Sequence, residues 1–328
     1  MRHETKHEPQ RNRRLDQAAK AAWLSYVAGR TQDEIAEEMG VSRQTVQRLV
    51  AQAQAAGILR IRIDHPLAHC LELGQRMKER FGLRFCEIVP SAGGLSGVGM
   101  AVATFLEREL ARSQPLTLAI GTGRTLHAGV REIMRIDCPR HRIVSLTGNI
   151  APDGSTAHYN VLFSLSDRVT ARSFPLTMPV IAATAEECEA LRRQPGNARV
   201  LAMAREAEIA LVGIGALGPD GPLLKDGFVN AGEMARLTAA GGVGEIIGRA
   251  YDQNGNDLPP DGRVASAPLP EGPDALVVGA GIGAGKHAAI RGALLGRKLN
   301  GLITDENTAL WLLAEEGNAA PGGTGAPT

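Results

Sequence analysis

Cationic and hydroxyl side chains follow two apolar runs of the sequence, at places where the chain is rich in glycine. The run Leu116–Ile120 is followed by GTGRT, and the run Ala275–Val278 is followed by GAGIGAGK. Glycine allows close approach of the backbone to a ligand, and a helix beginning at such a loop offers free N–H groups to an anion. Two such loops favour a site for a small anionic or polyhydroxylated ligand. Its candidate residues are Gly121, Thr122, Gly123, Arg124, Thr125 and Lys286.

Two further side chains could take part in this site. Asn149 follows another apolar run, and Asp252 could accept hydrogen bonds from two sugar hydroxyls. The alternative is that the glycine stretches form only tight turns. Neither stretch completes a nucleotide motif, because Ala280 replaces the first glycine of a phosphate loop, His287 replaces its Ser/Thr, and G-x-G-x-x-G is absent from both.

The stretch between Thr31 and Gly57 has the signals of a helix-turn-helix. Thr31 and Glu34 have the spacing of a capping box, which satisfies free backbone N–H groups at a helix start. Gly40 would end the first helix, because glycine accepts the left-handed conformation common there. Ser42 would cap a second helix running to residue 56, with an apolar stripe at helical spacing. That stripe consists of Val46, Leu49, Val50 and Ala53.

The other side of this second helix carries arginine and amide side chains, which can reach base edges and phosphates in a major groove. The alternative is an ordinary helical hairpin with a solvated polar face. Both caps, the glycine turn and the basic-amide face occur together, and this combination favours DNA binding. The candidate DNA-binding residues are Ser42, Arg43, Gln44, Thr45, Gln47 and Arg48.

Segments on either side would complete the DNA-binding domain. Residues 15–28 predict a supporting helix, with Val27 on the buried face alongside Trp23 or Tyr26. The alternation in ILRIRID predicts a short strand, the wing of a winged helix-turn-helix. Arg60 and Arg62 in that strand would either contact phosphate or stay solvated, and the sequence favours neither alternative.

Composition narrows the class of protein. A chain of 328 residues with 44% hydrophobic residues can bury the cores of two domains. No apolar run approaches the roughly 20 residues of a membrane span, and the charged N-terminus has no secretory signal. The four scattered cysteines indicate reduced thiols and a cytoplasmic location. His65, His69 and Cys70 lie close together, but no second ligand cluster completes a metal site, so we expect neither metal nor cofactor.

The charge distribution separates the two parts of the chain. Residues 1–62 hold 11 Lys/Arg against 7 Asp/Glu, a net charge of +4, whereas the remainder holds 25 against 28, a net charge of −3. The positive field therefore lies where a phosphate backbone would dock.

Short apolar runs alternate with helical segments from Phe85 onward. This pattern predicts an α/β domain with a doubly wound, mainly parallel sheet, in which ligands bind beyond the carboxyl ends of the strands. The predicted strands are 85–89, 116–120, 143–146, 209–214, 275–278 and 302–304, with a single helix over 185–206 among those between them. The predicted divisions are a disordered basic tail (1–13), an all-α helix-turn-helix domain with a wing (14–64), a linker helix (65–84), an effector-binding and oligomerisation domain (85–317) and a flexible tail (318–328).

Taken together, both halves resemble the SorC family of bacterial transcriptional regulators. The resemblance runs from Leu15 to about Glu315 and is carried by TQDEIAEEMGVSRQTVQRLVAQAQAAGI, GTGRT, ALVGIGALG, GGVGEIIGRAYDQNG and LNGLITDENTA. It implies a Rossmann-like sugar-binding domain related to the glucosamine-phosphate deaminase and ribose-phosphate isomerase fold. It also implies that the candidate ligand residues of both loops, with Asn149 and Asp252, surround a sugar, polyol or sugar-phosphate effector. The segment NIAPDGSTAHYNVLFSLSD resembles the branch that regulates polyol operons.

The function expected from these observations is operator binding under the control of that effector, by a homodimer or homotetramer in the cytoplasm and without catalysis. One alternative is a constitutive DNA-binding protein whose second domain only oligomerises. A further alternative is a sugar-phosphate isomerase or deaminase, for which Asp252, Asp305 and Glu306 could supply acid and base groups.

Overall fold

The chain separates into two compact units, Met1–Asp64 and His65–Thr328. The computed structural model describes residues 8–59, 66–150, 155, 159–259 and 262–314. The wing predicted over residues 58–64, with Arg60 and Arg62, lies mostly outside these residues, and so does the predicted tail 318–328. None of the described helices is long and apolar enough to cross a membrane.

The described part of the first unit packs α1 (Glu8–Tyr26), α2 (Gln32–Met39) and α3 (Arg43–Ala55) around one small core. The predicted capping box at the start of α2 is present, with the Glu34 backbone N–H donating to Thr31 Oγ1 and the Thr31 N–H donating to the Glu34 carboxylate. Gly40 ends α2 in the left-handed conformation. The predicted stripe of α3 is buried, and it packs with Ile35 of α2 and alanines of α1.

Two predictions about α1 were wrong. The helix begins at Glu8, so residues 8–13 are helical and not part of a disordered tail. Glutamine and arginine are good helix formers, and proline is tolerated in a first turn, so this polar segment extends the helix. Val27 follows the helix end and is 68% exposed, and Trp23 and Tyr26 are exposed as well. Ala21 and Leu24 occupy the buried face instead, because they continue the helical spacing from Ala18.

The second unit alternates helices with strands along most of its length. Its helices are α4 (Pro66–Phe81), α5 (Gly94–Leu110), α6 (Arg124–Glu132), α7 (Val161–Ser166), α8 (Ala185–Arg193), α9 (Pro195–Arg205), α10 (Pro222–Lys225), α11 (Ala231–Ala239), α12 (His287–Leu295) and α13 (Glu306–Ala314). Its strands are β1 (Phe85–Val89), β2 (Thr117–Ile120), β3 (Arg142–Ile150), β4 (Arg172–Pro179), β5 (Ile209–Gly213), β6 (Gly215–Ala216), β7 (Gly242–Ile246), β8 (Arg249–Asp252), β9 (Leu276–Ala280) and β10 (Gly301–Asp305).

A seven-stranded parallel sheet forms the centre of this unit. Its strand order is β1-β10-β9-β5-β2-β3-β4, and every pairing within it is parallel. Two separate buried clusters pack against this sheet, one of which includes Leu73 and Met77 of α4. The predicted α/β fold with a mainly parallel sheet is therefore confirmed.

A smaller antiparallel sheet, β6-β7-β8, lies beside the main sheet and was not predicted. β4 was not predicted either, and the single helix predicted over 185–206 is two helices. Pro195 at the first turn of α9 accounts for that break, because proline cannot donate a hydrogen bond within a continuous helix.

Candidate ligand pocket and nucleic-acid interface

A cavity of about 570 Å³ opens beyond the carboxyl ends of β2, β5 and β9. This volume lies within the range of small-molecule sites. The predicted residues Thr122, Gly123, Arg124 and Thr125 line it from the loop after β2, and Lys286 lines it from the loop after β9. The two glycine-rich loops therefore meet at one cavity, as expected for the carboxyl edge of a parallel sheet.

The first loop presents a helix start to this cavity. Gly123 has a φ of 127°, a conformation that favours glycine, and Arg124 begins α6 directly after it. The first backbone N–H groups of a helix have no partner within the helix and attract negative charge. Thr122 Oγ1 donates to the backbone oxygen of Tyr159, which also lines the cavity. This end of the cavity is therefore suited to an anion or to hydroxyl oxygens.

A buried carboxylate faces the cations across the same cavity. Glu245 of β7 is 8% exposed, and burial raises the pKa of its carboxyl group. The backbone N–H of Gly248 donates to Glu245 Oε2 at 2.8 Å, and the positive charge of Lys286 opposes part of that rise. Burial lowers the pKa of Lys286; the charge of Glu245 counteracts this, and that of Arg124 adds to it. The cavity thus holds a buried acid and a buried base: burial disfavours the charged form of each group, and each group favours the charged form of the other.

Residues 217–228 contribute a third wall of the cavity. Leu217, Asp220, Asp226 and Phe228 line it, in a segment that contains the short helix α10. Apolar side chains of this segment pack in a small cluster of their own, which also includes Val180 and Ile181. None of the cluster's buried members belongs to the two cores of the main sheet. The segment is thus a cover that packs in a cluster separate from the cores of the main sheet, together with Val180 and Ile181.

Three predicted ligand residues are not among the described residues that line this cavity. Gly121 is buried behind the loop, where an added Cβ would lie 3.5 Å from Ile247 Cγ2. The side chain of Asn149 lies outside the described part of the structure. Asp252 accepts hydrogen bonds from the backbone N–H groups of Asn254 and Asn256 and from Asn256 Nδ2, so its oxygens close a local turn. We leave Asp252 out of the site for this reason.

Sequence reasoning missed Glu245, although it lies in the motif GGVGEIIGRAYDQNG. A single glutamate between glycines has the pattern of a surface turn. Ile247 and Gly248 reverse the chain between β7 and β8, and the charge of Lys286 acts on the buried Glu245 from across the cavity lining. Ile247 has a φ of 49°, unusual for a β-branched residue, so no standard turn signal marked this hairpin.

Asp305 and Glu306, the carboxylates that the enzyme alternative would use, have partners outside the cavity. Asp305 is buried and accepts hydrogen bonds from the hydroxyl groups of Ser91, at 2.7 Å, and Thr308. Glu306 lies 2.6 Å from Nδ1 of His69 on α4. Neither carboxylate lines the cavity.

In the first unit, α3 exposes the predicted basic-amide face. Arg43, Gln44, Gln47 and Arg48 are exposed, while Ser42 and Thr45 make the cap, with the Thr45 backbone N–H donating to Ser42 Oγ at 3.2 Å. The Arg48 guanidinium donates to Thr45 Oγ1 at 3.3 Å, which ties it weakly to the first turn. The N-terminal half of α3 thus leaves its arginine and amide side chains accessible.

The Arg43 guanidinium has a contact from the preceding helix. Its Nη1 lies 3.5 Å from Asp33 Oδ2, and both side chains are largely exposed. An exposed pair of this kind contributes little to stability, so it leaves Arg43 able to exchange the carboxylate for a phosphate.

Comparison with known families agrees with both units. The family described as "Putative sugar-binding domain" matches residues 65–314, and the MarR family matches residues 21–66. The erythritol catabolism regulatory protein EryD of Brucella abortus is 33% identical over 304 residues, covering 91% of this chain and 96% of the relative. The transcriptional regulator LsrR of Klebsiella pneumoniae is 30% identical over 310 residues, covering 90% and 92%.

The solved structure of the full-length sorbitol operon regulator SorC from Klebsiella pneumoniae superposes with a TM-score of 0.69 at 26% identity, covering 91% of this chain and 99% of that one. A helix-turn-helix joined to a sugar-binding α/β domain, in a chain whose relatives are transcriptional regulators, identifies a regulator. The relatives have the same role. This chain belongs to the SorC family of bacterial transcriptional regulators.

Proposed function

We propose that this protein regulates a carbohydrate or polyol catabolic operon in the cytoplasm and that a sugar, polyol or sugar-phosphate effector controls its affinity for DNA. One observation carries the proposal: Arg124, Lys286 and the buried Glu245 converge on a single cavity in a chain that also has an exposed recognition helix. A ligand cavity and an exposed recognition helix in one chain are the two parts that a ligand-responsive regulator needs.

The charges of the cavity suit a polyhydroxylated ligand. Glu245 accepts one backbone hydrogen bond at Oε2, and a carboxylate can accept several more, so it can take the hydroxyl protons of a polyol. Arg124, Lys286 and the start of α6 can donate to hydroxyl oxygens or to a phosphate. The name of EryD refers to erythritol, a four-carbon polyol that is small enough for this cavity. Erythritol and its phosphate ester are therefore the first ligands to test.

For DNA binding, we assign base and phosphate contacts to Arg43, Gln44, Gln47 and Arg48, with Ser42 and Thr45 at the helix start. One helix-turn-helix reads only a half-site, so we propose that a homodimer, or a tetramer made of two dimers, binds a quasi-palindromic operator. The effector then alters DNA affinity only as far as it binds the two states of the oligomer differently.

The test combines ligand binding with DNA binding. Purified full-length protein is titrated onto a fluorescent fragment of the DNA beside its own gene, and anisotropy is measured with sorbitol, erythritol, ribose or their phosphate esters. We expect one ligand class to change DNA affinity by fivefold or more, on the order of a typical allosteric coupling. The same ligand should raise the melting temperature of the protein.

Matched variants separate the two sites. Lys286→Met should remove the ligand response and leave DNA affinity unchanged, whereas Arg48→Ala should weaken DNA binding and leave the thermal shift by ligand unchanged. If no ligand of the panel alters either property of the wild type, the constitutive DNA-binding protein is the better account.

A further inference from the structure

A second cavity, of about 410 Å³, lies on the other side of the β7–β8 hairpin from the ligand pocket. The hairpin tip separates the two spaces, and Ile247 lines both of them. Asn300, directly before β10, and Ala275, directly before β9, also line the second cavity. It therefore opens toward the amino ends of these strands, at the edge of the sheet opposite the pocket.

Cationic side chains dominate the available charges of this second cavity. Arg249, Arg297 and Lys298 line it together with two carboxylates, Asp257 and Glu271. Both carboxylates already contact cations, since Lys298 Nζ donates to Asp257 and Arg205 lies 3.9 Å from Glu271. Among the described residues, neither Arg249 nor Arg297 has a hydrogen-bond or ion-pair partner for its guanidinium.

Arg249 lies near a second arginine, Arg192. Burial and the charge of Arg192 lower the pKa of its guanidinium, and Asp257 and Cys188 offset part of that effect. Arg192 itself donates to the backbone oxygens of Val264 and Ser266, at 3.0 and 2.9 Å. Its partners among the described residues are therefore uncharged. An anion in the cavity would relieve this repulsion.

Arg297 occupies a backbone position that favours glycine. After α12, the Arg297 N–H donates to Leu294 O and the Lys298 N–H to Ala293 O, the hydrogen-bond pattern of a Schellman motif, and Arg297 has a φ of 51°. The same motif after α3 has Gly57, with a φ of 68°. An arginine at the left-handed position costs backbone strain that glycine avoids. Departures of this kind from local backbone preference are typical of functional or strained sites.

We propose that this second cavity is a binding site for a small phosphate-type dianion, either inorganic phosphate or the phosphate group of an ester. Arg297 and Arg249 hold the anion with the forked geometry of their guanidinium groups. Lys298, whose side chain is 16% exposed, stays paired with Asp257 and so neutralises that carboxylate beside the anion. This site is distinct from the ligand pocket and does not rest on the function proposed for that pocket.

The test uses Arg297→Gly, a substitution that removes the guanidinium and restores the residue that the backbone prefers. Binding of radiolabelled inorganic phosphate to the full chain is measured by equilibrium dialysis at low ionic strength. Wild type, R297G, Arg249→Gln and the surface control Arg193→Gln are compared, each also in a Lys286→Met background that weakens anion binding in the first pocket. Arg193 is a suitable control because it is exposed on α8 and pairs only with Glu189 in the described structure.

We expect R297G and R249Q to weaken phosphate binding at the second site at least about tenfold in both backgrounds, and R193Q to leave it unchanged. R297G should melt no lower than the wild type, which excludes unfolding as the cause. In the K286M background, tighter competition by erythritol 4-phosphate than by unlabelled phosphate would identify an ester as the occupant, and weaker competition would identify inorganic phosphate. Equal phosphate binding by R297G and its parent, or no phosphate bound by the K286M protein, would overturn the proposal. Because loss of the effector response is read separately in K286M, the two proposals fail independently.

Discussion

The substitution Gly215→Ala tests whether the buried carboxylate of the pocket must stay in its present place. Gly215 pairs with Glu245 across β6 and β7. A Cβ built on Gly215 would lie 2.0 Å from Glu245 Oε1, 2.8 Å from its Cδ and 2.9 Å from Pro222 Cγ. Backbone strain does not contribute, because Gly215 has no positive φ. The glutamate side chain must therefore move.

Two costs follow from that movement. The Glu245 carboxylate loses or lengthens its 2.8 Å hydrogen bond from the Gly248 N–H, and overpacking against Pro222 adds strain. Together these should lower the free energy of unfolding by about 1–3 kcal/mol, or about 2–12 °C in melting temperature for a domain of this size. If Glu245 binds an effector hydroxyl, effector affinity should also fall about tenfold to 150-fold, the equivalent of one lost charge-assisted hydrogen bond.

The assay is a thermal melt of the full-length protein, followed by titration of erythritol or erythritol 4-phosphate, whichever releases or tightens DNA in the wild type. Gly196→Ala is the matched control, because its added Cβ meets nothing within 4 Å, and its stability should change by less than about 1 kcal/mol. If G215A and G196A melt alike and respond alike to the ligand, the carboxylate has no role in this pocket.

Three further predictions concern the DNA-binding helix, its support and the pH dependence of the pocket. Arg48→Ala should weaken operator binding about fivefold to 150-fold in an anisotropy titration, because one base or phosphate contact is lost; equal affinity at matched salt would contradict the assignment. Thr31→Ala should destabilise the start of α2 by about 1 kcal/mol, since the hydroxyl accepts the Glu34 N–H, and hydrogen exchange of the α2 amides should speed up accordingly. Burial raises the pKa of Glu245 in the folded state above its pKa in the unfolded state. The protonated carboxyl group therefore contributes its full stability below the unfolded-state pKa, and this contribution is lost as pH rises through the folded-state pKa. In urea unfolding, the free energy of unfolding of Glu245→Gln should therefore rise relative to that of the wild type as pH increases above about 4.5. If the two proteins show the same dependence of this free energy on pH, the carboxyl group of Glu245 is not desolvated.

Local sequence signals were enough to predict the elements whose residue types suit the secondary structure that they form. β1 has the predicted bounds, and Thr31, Gly40 and Ser42 set the helix limits of the first unit through side-chain or backbone effects within a few residues. The convergence of Arg124 and Lys286 followed from a rule about parallel sheets and needed no knowledge of the loops themselves.

Features that depend on distant partners were missed. β4 contains Pro175 and ends at Pro179, which do not suit a strand by propensity, yet β4 is the edge strand of the sheet, where proline is tolerated. β7 has glycines at 242 and 244 and a glutamate at 245, and only its packing between β6, β8 and α12 makes it a buried strand. The role of Glu245 could not be inferred before that packing was known.

The cover formed by residues 217–228 has a consequence for how the pocket can change its ligand. Its apolar side chains, including Leu223 and Phe228, pack with Val229 and Met234 in a cluster separate from the cores of the sheet. Substitutions there can reshape one wall of the pocket and leave the parallel sheet unaltered. The ligand preference of the pocket can thus change through a short stretch of sequence, while α3 and the first unit stay the same.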